Sequence, residues 1–320
     1  MRVLITGMSG FAGTALADFL LRETRWLLTG ASSSASGERI NARVQWWQVD
    51  LHDADATRRL IRYERPDIIF HLAAQASVPK SWDAPWDTFE TNVHGTLNLF
   101  EAVIKAHTTP RIIVVGSNEV YGAPASPADI PFTESHPLHP NNPYGVSKVA
   151  QETLAMQYRY SHGLDVVVVR PFNHIGPGQK PIYVISDFAH QIAEIEAGKH
   201  EPVMKVGNLA AQRDFTDVRD TVEAYYRVAR FADSGRIYNV CSGVPRSIDE
   251  VFKLLLEQSK VHIDVQTDPT KFRIVDTPVS YGDNSLLKQE VGWQPRVPLQ
   301  TTITDTLNYW RQRVSMDTPA

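Results

Sequence analysis

The 320-residue chain sets 32 Lys and Arg against 36 Asp and Glu, a formal charge of −4, and 42% of it is hydrophobic. That balance excludes a polyanion-binding surface, which needs clustered cations, and a disordered chain, which could not bury a core. Its apolar runs are too short to cross a bilayer, Arg2–Thr6 reads as a strand so near Met1 that no leader is expected, and the lone Cys241 points to a reducing, cytoplasmic setting without an internal disulfide.

Val3-Leu4-Ile5 is the continuous apolar run of a buried parallel strand, and it leads into Thr6-Gly7-Met8-Ser9-Gly10-Phe11-Ala12-Gly13 and an amphipathic helix over 11–22. Strand, glycine turn and helix in succession predict a dinucleotide site, because glycines let the backbone approach a pyrophosphate seated at the positive end of the helix. Gly7, Ser9, Gly10, Phe11 and Gly13 are the residues of that turn expected to meet the cofactor. The second strand, 26–29, runs into Gly30-Ala31-Ser32-Ser33-Ser34 with no carboxylate to grip a ribose 2′-hydroxyl; Glu38 comes too late. Small hydroxyl residues such as Ser32, with Arg39 nearby, suit a 2′-phosphate, which favours NADPH and leaves NADH open.

A third strand, 44–49, brings Asp50 and Leu51 toward the adenine, and a helix near 53–63 leads to a fourth strand, 67–71. Leu72, Ala73, Ala74 and Gln75 follow, mostly small residues that let the cofactor backbone pass. His71 reads as a core histidine, and no His, Cys, Asp and Glu cluster has metal-ligand spacing. Phe89, Val93, Leu97, Phe100 and Ile104 form the core stripe of the next helix, whose Asn92 is either structural or part of a catalytic water network.

A fifth strand, 111–115, ends at Ser117-Asn118-Glu119, just beyond the carboxyl edge where parallel sheets face their ligands. Asn142 as N-cap and Pro143 as first residue predict a helix that carries Tyr144 and Lys148 on one face. A phenol beside an ammonium is an acid whose pKa is drawn down. That pair suits protonation of a carbonyl under reduction, with Ser117 placed to bond the same oxygen. The sixth strand, 165–170, passes into the segment 171–179. Alternating strands and helices predict an α/β fold, a doubly wound parallel Rossmann sheet with a smaller C-terminal substrate-binding lobe. Residues 237–240 are expected to rejoin the sheet, with helices over 248–256 and 301–313. The dinucleotide-binding domain is thus expected to comprise 1–172 with 215–242, and the lobe 173–214 with 243–320.

Gly7-x-x-Gly10-x-x-Gly13, Ser117, Tyr144-x-x-x-Lys148 and Arg213-Asp214-Phe215-x-Asp217-Val218 together resemble the extended short-chain dehydrogenase/reductases that modify nucleotide sugars, over essentially the whole chain. Within that family, segments 170–179, 205–209 and 238–243 are most similar to reductases of a GDP-linked 6-deoxy-4-keto sugar, which turn GDP-4-keto-6-deoxy-D-mannose into GDP-D-rhamnose. The alternative is a GDP-mannose 4,6-dehydratase, a lyase that recycles its bound NADP. The resemblance implies Tyr144 as general acid, Lys148 as its partner on the nicotinamide ribose, and Ser117 on the substrate carbonyl. It implies Asn92, Pro171 and His174 as further cofactor contacts. Asn118, Asn173, Gln179, Lys205, Asn208, Arg213, Arg273 and Asp276 become nucleotide-sugar contacts, with the two arginines on phosphates and Asp276 on the guanosine ribose. Glu119 is retained from the dehydratase pattern, whereas Asn118 stands where dehydratases carry Asp or Ser. An amide cannot donate a proton as an acid, so water loss is disfavoured and Glu119 is expected only to shape the pocket. A homodimer through the helices beginning near Thr88 and Tyr144 is also implied.

Overall fold

The computed structural model describes residues 1–34, 42–271 and 277–316. Six strands come first: β1 (Arg2–Thr6), β2 (Leu27–Ser32), β3 (Val44–Gln48), β4 (Ile68–His71), β5 (Arg111–Val115) and β6 (Asp165–Pro171). Seven shorter ones follow: β7 (Asn173–Ile175), β8 (Val203–Val206), β9 (Gln212–Asp217), β10 (Ile237–Val240), β11 (Pro245–Ser247), β12 (Asp264–Thr267) and β13 (Val279–Ser280). The first six and β10 make one parallel sheet in the order β10-β6-β5-β4-β1-β2-β3. The chain winds outward from β1 to β3 and then crosses back to β4. That reversal opens a crevice at the carboxyl ends of β1 and β4.

Both faces of this sheet are covered, which is why its strands read as unbroken apolar runs. Successive side chains point to opposite faces. Val3, Ile5, Val167 and Val169 pack with Leu16, Leu20, Val222 and Tyr225, while Leu4, Ile69, Val166 and Val168 pack with Leu60, Leu99, Val103 and Ala155. The strand β2 runs to Ser32, three residues past the expected end. Thr29-Gly30-Ala31 has little intrinsic strand preference, but pairing with β1 on one side and β3 on the other holds it extended.

One helix differs instructively from its sequence pattern, and another follows it. The stripe from Phe89 to Ile104 lies on an α-helical turn (Pro85–Phe89), a π-helical turn (Glu90–His94) and an α-helix (Gly95–Lys105). The wide turn swings Asn92 fully inside. The helix Pro143–His162 starts where expected: the Asn142 side chain accepts from the Gly145 N–H at 2.8 Å.

After β6 the chain builds the smaller lobe. There β11, β9 and β13 form a sheet with β7 alongside β9, and β8 pairs with β12. Its core joins Ile185, Phe188 and Ile192 to Val251, Phe252, Ile303 and Leu307. The acids of the Arg213–Asp220 segment tie this lobe together. Asp214 accepts from the backbone of Ser242 and Gly243, Asp217 accepts from Thr302 Oγ1 at 2.7 Å, and Asp220 accepts from the backbone of Arg296 and Val297. Among the described residues no helix is long and apolar enough to cross a membrane.

Candidate active site

A cleft of about 1690 Å³ follows the carboxyl edge of the sheet and continues under the smaller lobe. That exceeds the pocket of a single drug-sized ligand and suits two nucleotides end to end. Gly7, Ser9, Gly10, Phe11 and Gly13 line one end, where the helix Phe11–Glu23 begins. Gly7 has φ +71°, and a Cβ there would lie 2.8 Å from the Ala73 nitrogen. A Cβ on Gly13 would run into the Gly7 carbonyl oxygen. The turn therefore leaves a bare backbone cradle at a helix N-terminus, which fits a pyrophosphate. Ser32, Asp50, Leu51, Leu72, Ala73, Ala74 and Gln75 line the same part. Phe11 and His174 flank it with parallel rings, centroids 5.8 Å apart. Arg39 and Glu38 lie outside the described residues.

Ser117, Tyr144, Lys148 and Pro171 meet in the middle of the cleft. Ser117 ends the loop after β5, and its hydroxyl accepts from the Glu119 N–H at 3.2 Å and lies beside the Tyr144 phenol. The expected lowering of that phenol's pKa is not found. Burial raises it, the Ser117 hydroxyl offsets this only in part, and Glu119 and Tyr183 reinforce the rise. The reason is placement. Lys148 is buried too, its Nζ donates to the Val115 carbonyl at 2.8 Å and to Gln151 Oε1 at 2.9 Å, and it lies over the Tyr144 ring, 5.8 Å from the centroid. Desolvation brings the Lys148 pKa down to about 7. The phenol thus stays protonated well above neutrality, as a proton donor must.

Asn92 corrects the expectation of a cofactor contact. It is absent from the cleft lining and clamps the wall from behind: its Oδ1 accepts from the Gln75 N–H at 2.8 Å, and its Nδ2 donates to the Gln75 carbonyl and to Ser147 Oγ. The reason is the π-helical turn, which aims the amide inward.

Toward the smaller lobe the cleft gathers Asn118, Glu119, Asn173, Gln179, Lys205, Asn208 and Arg213. Glu119 accepts from Asn142 Nδ2 at 2.7 Å, so the helix cap holds one of its oxygens. Gln179 Nε2 donates to the His174 carbonyl at 3.0 Å. Arg213 donates to the Gln212 and Thr277 carbonyls at 2.8 and 2.6 Å, which braces its guanidinium at the cleft wall. Arg273 and Asp276 lie outside the described residues. Tyr183, Asp187, Tyr309 and Arg313 also line this end and were not anticipated. Tyr309 and Arg313 stand four apart on the terminal helix with the guanidinium over the ring, a spacing visible in the sequence but masked by the core stripe of Ile303, Leu307 and Trp310.

The model of the GDP-mannose 4,6 dehydratase family matches residues 4–306. The chain belongs to this family. Relatives within and around it act on several nucleotide sugars. The chain is 35% identical to GDP-6-deoxy-D-mannose reductase of Pseudomonas aeruginosa over 98% of both chains. It is 32% identical to UDP-glucose 4-epimerase of Mycolicibacterium smegmatis, over 98% of this chain and 99% of that one. Among solved structures, that of RMD from Pseudomonas aeruginosa complexed with NADPH superposes with a TM-score of 0.87 at 34% identity, covering 98% of this chain and 99% of that one. The likeness to this GDP-mannose 4,6 dehydratase family extends through both the sheet and the smaller lobe, and it makes the chain an enzyme of the extended short-chain dehydrogenase/reductase type, an oxidoreductase.

Proposed function

We propose that the protein reduces the C4 ketone of GDP-4-keto-6-deoxy-D-mannose with NADPH and yields GDP-D-rhamnose. The observation that carries this is the meeting of Ser117, Tyr144 and Lys148 in one cleft with Asn118, an amide, next in line where water loss needs an acid. Glu119, the remaining carboxylate, is engaged by Asn142. The name of the Pseudomonas relative and the NADPH in its structure support the same substrate and cofactor.

Bound NADPH supplies a hydride to C4. Ser117 Oγ and the Tyr144 hydroxyl converge on the carbonyl oxygen, and their hydrogen bonds grow stronger as negative charge builds there. Tyr144 then gives its proton to the new alkoxide, a transfer that typically adds about 10²–10⁴-fold in rate. Lys148, held by Val115 and Gln151, turns its remaining donor toward the nicotinamide ribose. Arg213 and Lys205 take the diphosphate, with Asn173, Gln179 and Asn208 on the remaining polar groups. Ser32 and its neighbours accept the 2′-phosphate, and NADH serves less well.

The activity is cytoplasmic, and two copies pair through the helices near 85–105 and 143–162, where Trp86 and Val146 are exposed. Incubation of GDP-4-keto-6-deoxy-D-mannose with NADPH or NADH, followed by product analysis, tests this function. Stoichiometric NADPH oxidation to GDP-D-rhamnose is expected. Conversion of GDP-mannose to the keto sugar without net NADPH oxidation would establish the dehydratase instead.

A further inference from the structure

Behind Lys148 lies a chain of buried polar side chains that the reaction does not touch. Lys148 Nζ donates to Gln151 Oε1 at 2.9 Å, and Gln151 Nε2 donates to Thr96 Oγ1 at 2.8 Å. His71 Nε2 meets the same oxygen at 2.8 Å, His71 Nδ1 meets Thr6 Oγ1 at 2.8 Å, and Thr6 Oγ1 accepts from the Ala73 N–H at 3.2 Å. Thr6, His71, Thr96 and Gln151 are all essentially inaccessible to solvent.

The direction of every bond follows. Thr96 has one proton, and the Asn92 carbonyl takes it at 2.6 Å. Thr96 Oγ1 therefore only accepts from its other two partners. Gln151 must present its NH₂ to Thr96 and its oxygen to Lys148, which as a donor could use nothing else. His71 must carry its proton on Nε2, so Nδ1 accepts from Thr6. Burial holds this imidazole neutral, with its pKa lowered to about 3. The amide of Gln151 cannot flip without breaking two bonds at once.

We propose that Gln151 is the positioning residue for Lys148, anchored through Thr96 and His71 to the cofactor-facing segment at Ala73. The ammonium has three donors. Val115 and Gln151 consume two, which leaves one for the cleft. The neutral amine has only two protons, both committed, and would face the cleft with a lone pair. Whether Lys148 presents a donor or an acceptor is thus set by its proton, and where it points is set by Gln151. Tyr144 on the same helix and His71 on β4 are the titratable groups that face Lys148, with Glu119 beside Tyr144. Tyr144 and His71 are both uncharged at neutral pH.

This role rests on the function proposed above, but the binding part of its test does not need the sugar. NADPH affinity of the full-length protein is measured from pH 6 to 9 without substrate, for the wild type, Gln151→Glu and Gln151→Met. The wild type should bind more weakly as pH rises through about 7, where Lys148 loses its third donor. Gln151→Glu places a carboxylate against the ammonium and should move that fall upward by about 1–3 pH units. Gln151→Met fills the volume without an acceptor, and freeing the ammonium should weaken NADPH binding and lower kcat/KM by about 10²-fold, most of it in kcat. If the Met variant does not fold, Thr96→Ala should shift the fall in pH less than Gln151→Glu does while still weakening NADPH binding. Folded Gln151 variants with the wild-type affinity and pH profile would overturn the assignment, as would a Thr96→Ala protein indistinguishable from the wild type. A wild type that leaves the keto sugar unreduced while the Gln151 variants show the expected shifts in NADPH binding would refute the substrate and uphold the role of Gln151.

Discussion

Replacing Tyr144 by Phe removes one oxygen and leaves the ring in place. In the folded protein that oxygen faces the Ser117 hydroxyl, while the ring keeps its burial and its contact with Lys148. Even a full hydrogen bond there is worth only about 1 kcal/mol net, so the melting temperature should move by no more than about 2–4 °C. The rate should respond far more. Loss of the proton donor is expected to lower turnover by about 10²–10⁴-fold, or about 3–5 kcal/mol in the barrier. Ser117 can still bond the carbonyl and water can still deliver a proton, which is why turnover falls without vanishing. The assay is NADPH oxidation under saturating keto sugar, alongside an NADPH titration and a thermal melt of the same preparation. Turnover within tenfold of the wild type would show that another group protonates the alkoxide. A loss of NADPH affinity as large as the loss of rate would place the phenol in cofactor binding.

Gly13→Ala pushes a methyl into the Gly7 carbonyl and to 2.7 Å from Met8 Cα. NADPH affinity should fall at least about tenfold, with about 1–3 kcal/mol of stability lost; calorimetric binding at the wild-type level would mean that the pyrophosphate lies elsewhere. Asp214→Asn replaces one of two carboxylate oxygens that accept from Ser242 N at 2.7 Å, Ser242 Oγ at 2.6 Å and Gly243 N at 2.9 Å. Denaturant unfolding should show a loss of about 2–4 kcal/mol, and an unchanged midpoint would count against its role as a staple of the smaller lobe. His71 titrates at about 3 in the fold and near 6.5 unfolded, so the unfolded chain binds the extra proton between these values. Its contribution is complete above pH 6.5 and is lost as pH falls toward 3. His71→Gln should flatten the decline of stability over that window, and an equally steep decline would assign it to other groups.

Most of the sheet was readable because a parallel strand covered on both faces must be apolar throughout, as Val166–Val169 are. The turn from Gly7 to Gly13 and the start of the Tyr144 helix were readable because both depend on local chemistry: backbone room in one, a side-chain cap in the other. In the smaller lobe the helices over 248–256 and 301–313 were readable too, but the strands were not, since β7, β9, β11 and β13 pair across long stretches of chain. Asn92 misled for a related reason. Its orientation comes from an irregular turn that the stripe of Phe89, Val93 and Leu97 does not encode. The Tyr144 pKa was misjudged because proximity along a helix says nothing of how deeply both groups are buried. His71 was rightly read as a core residue, but its link to Lys148 through Thr96 and Gln151 joins three separate elements and has no signature in any one of them.

The short strand β7 leaves the main sheet directly after β6, and β9 leads back to it, with Asn173 opposite Phe215, His174 opposite Thr216 and Ile175 opposite Asp217. Outbound and returning chain are therefore laced together, so the two halves of the molecule are joined by a ribbon and not by a single thread. The chain crosses once more from β10 to β11, and Leu287, Val291 and Trp293 pack into the core of the main sheet, so the halves are held at several points. Asn173 and His174 are thereby fixed at the junction, while Tyr309 and Arg313 stand on the terminal helix at the rim of the cleft. Such a layout pins the floor of the cleft beside the reacting groups from both sides of the chain.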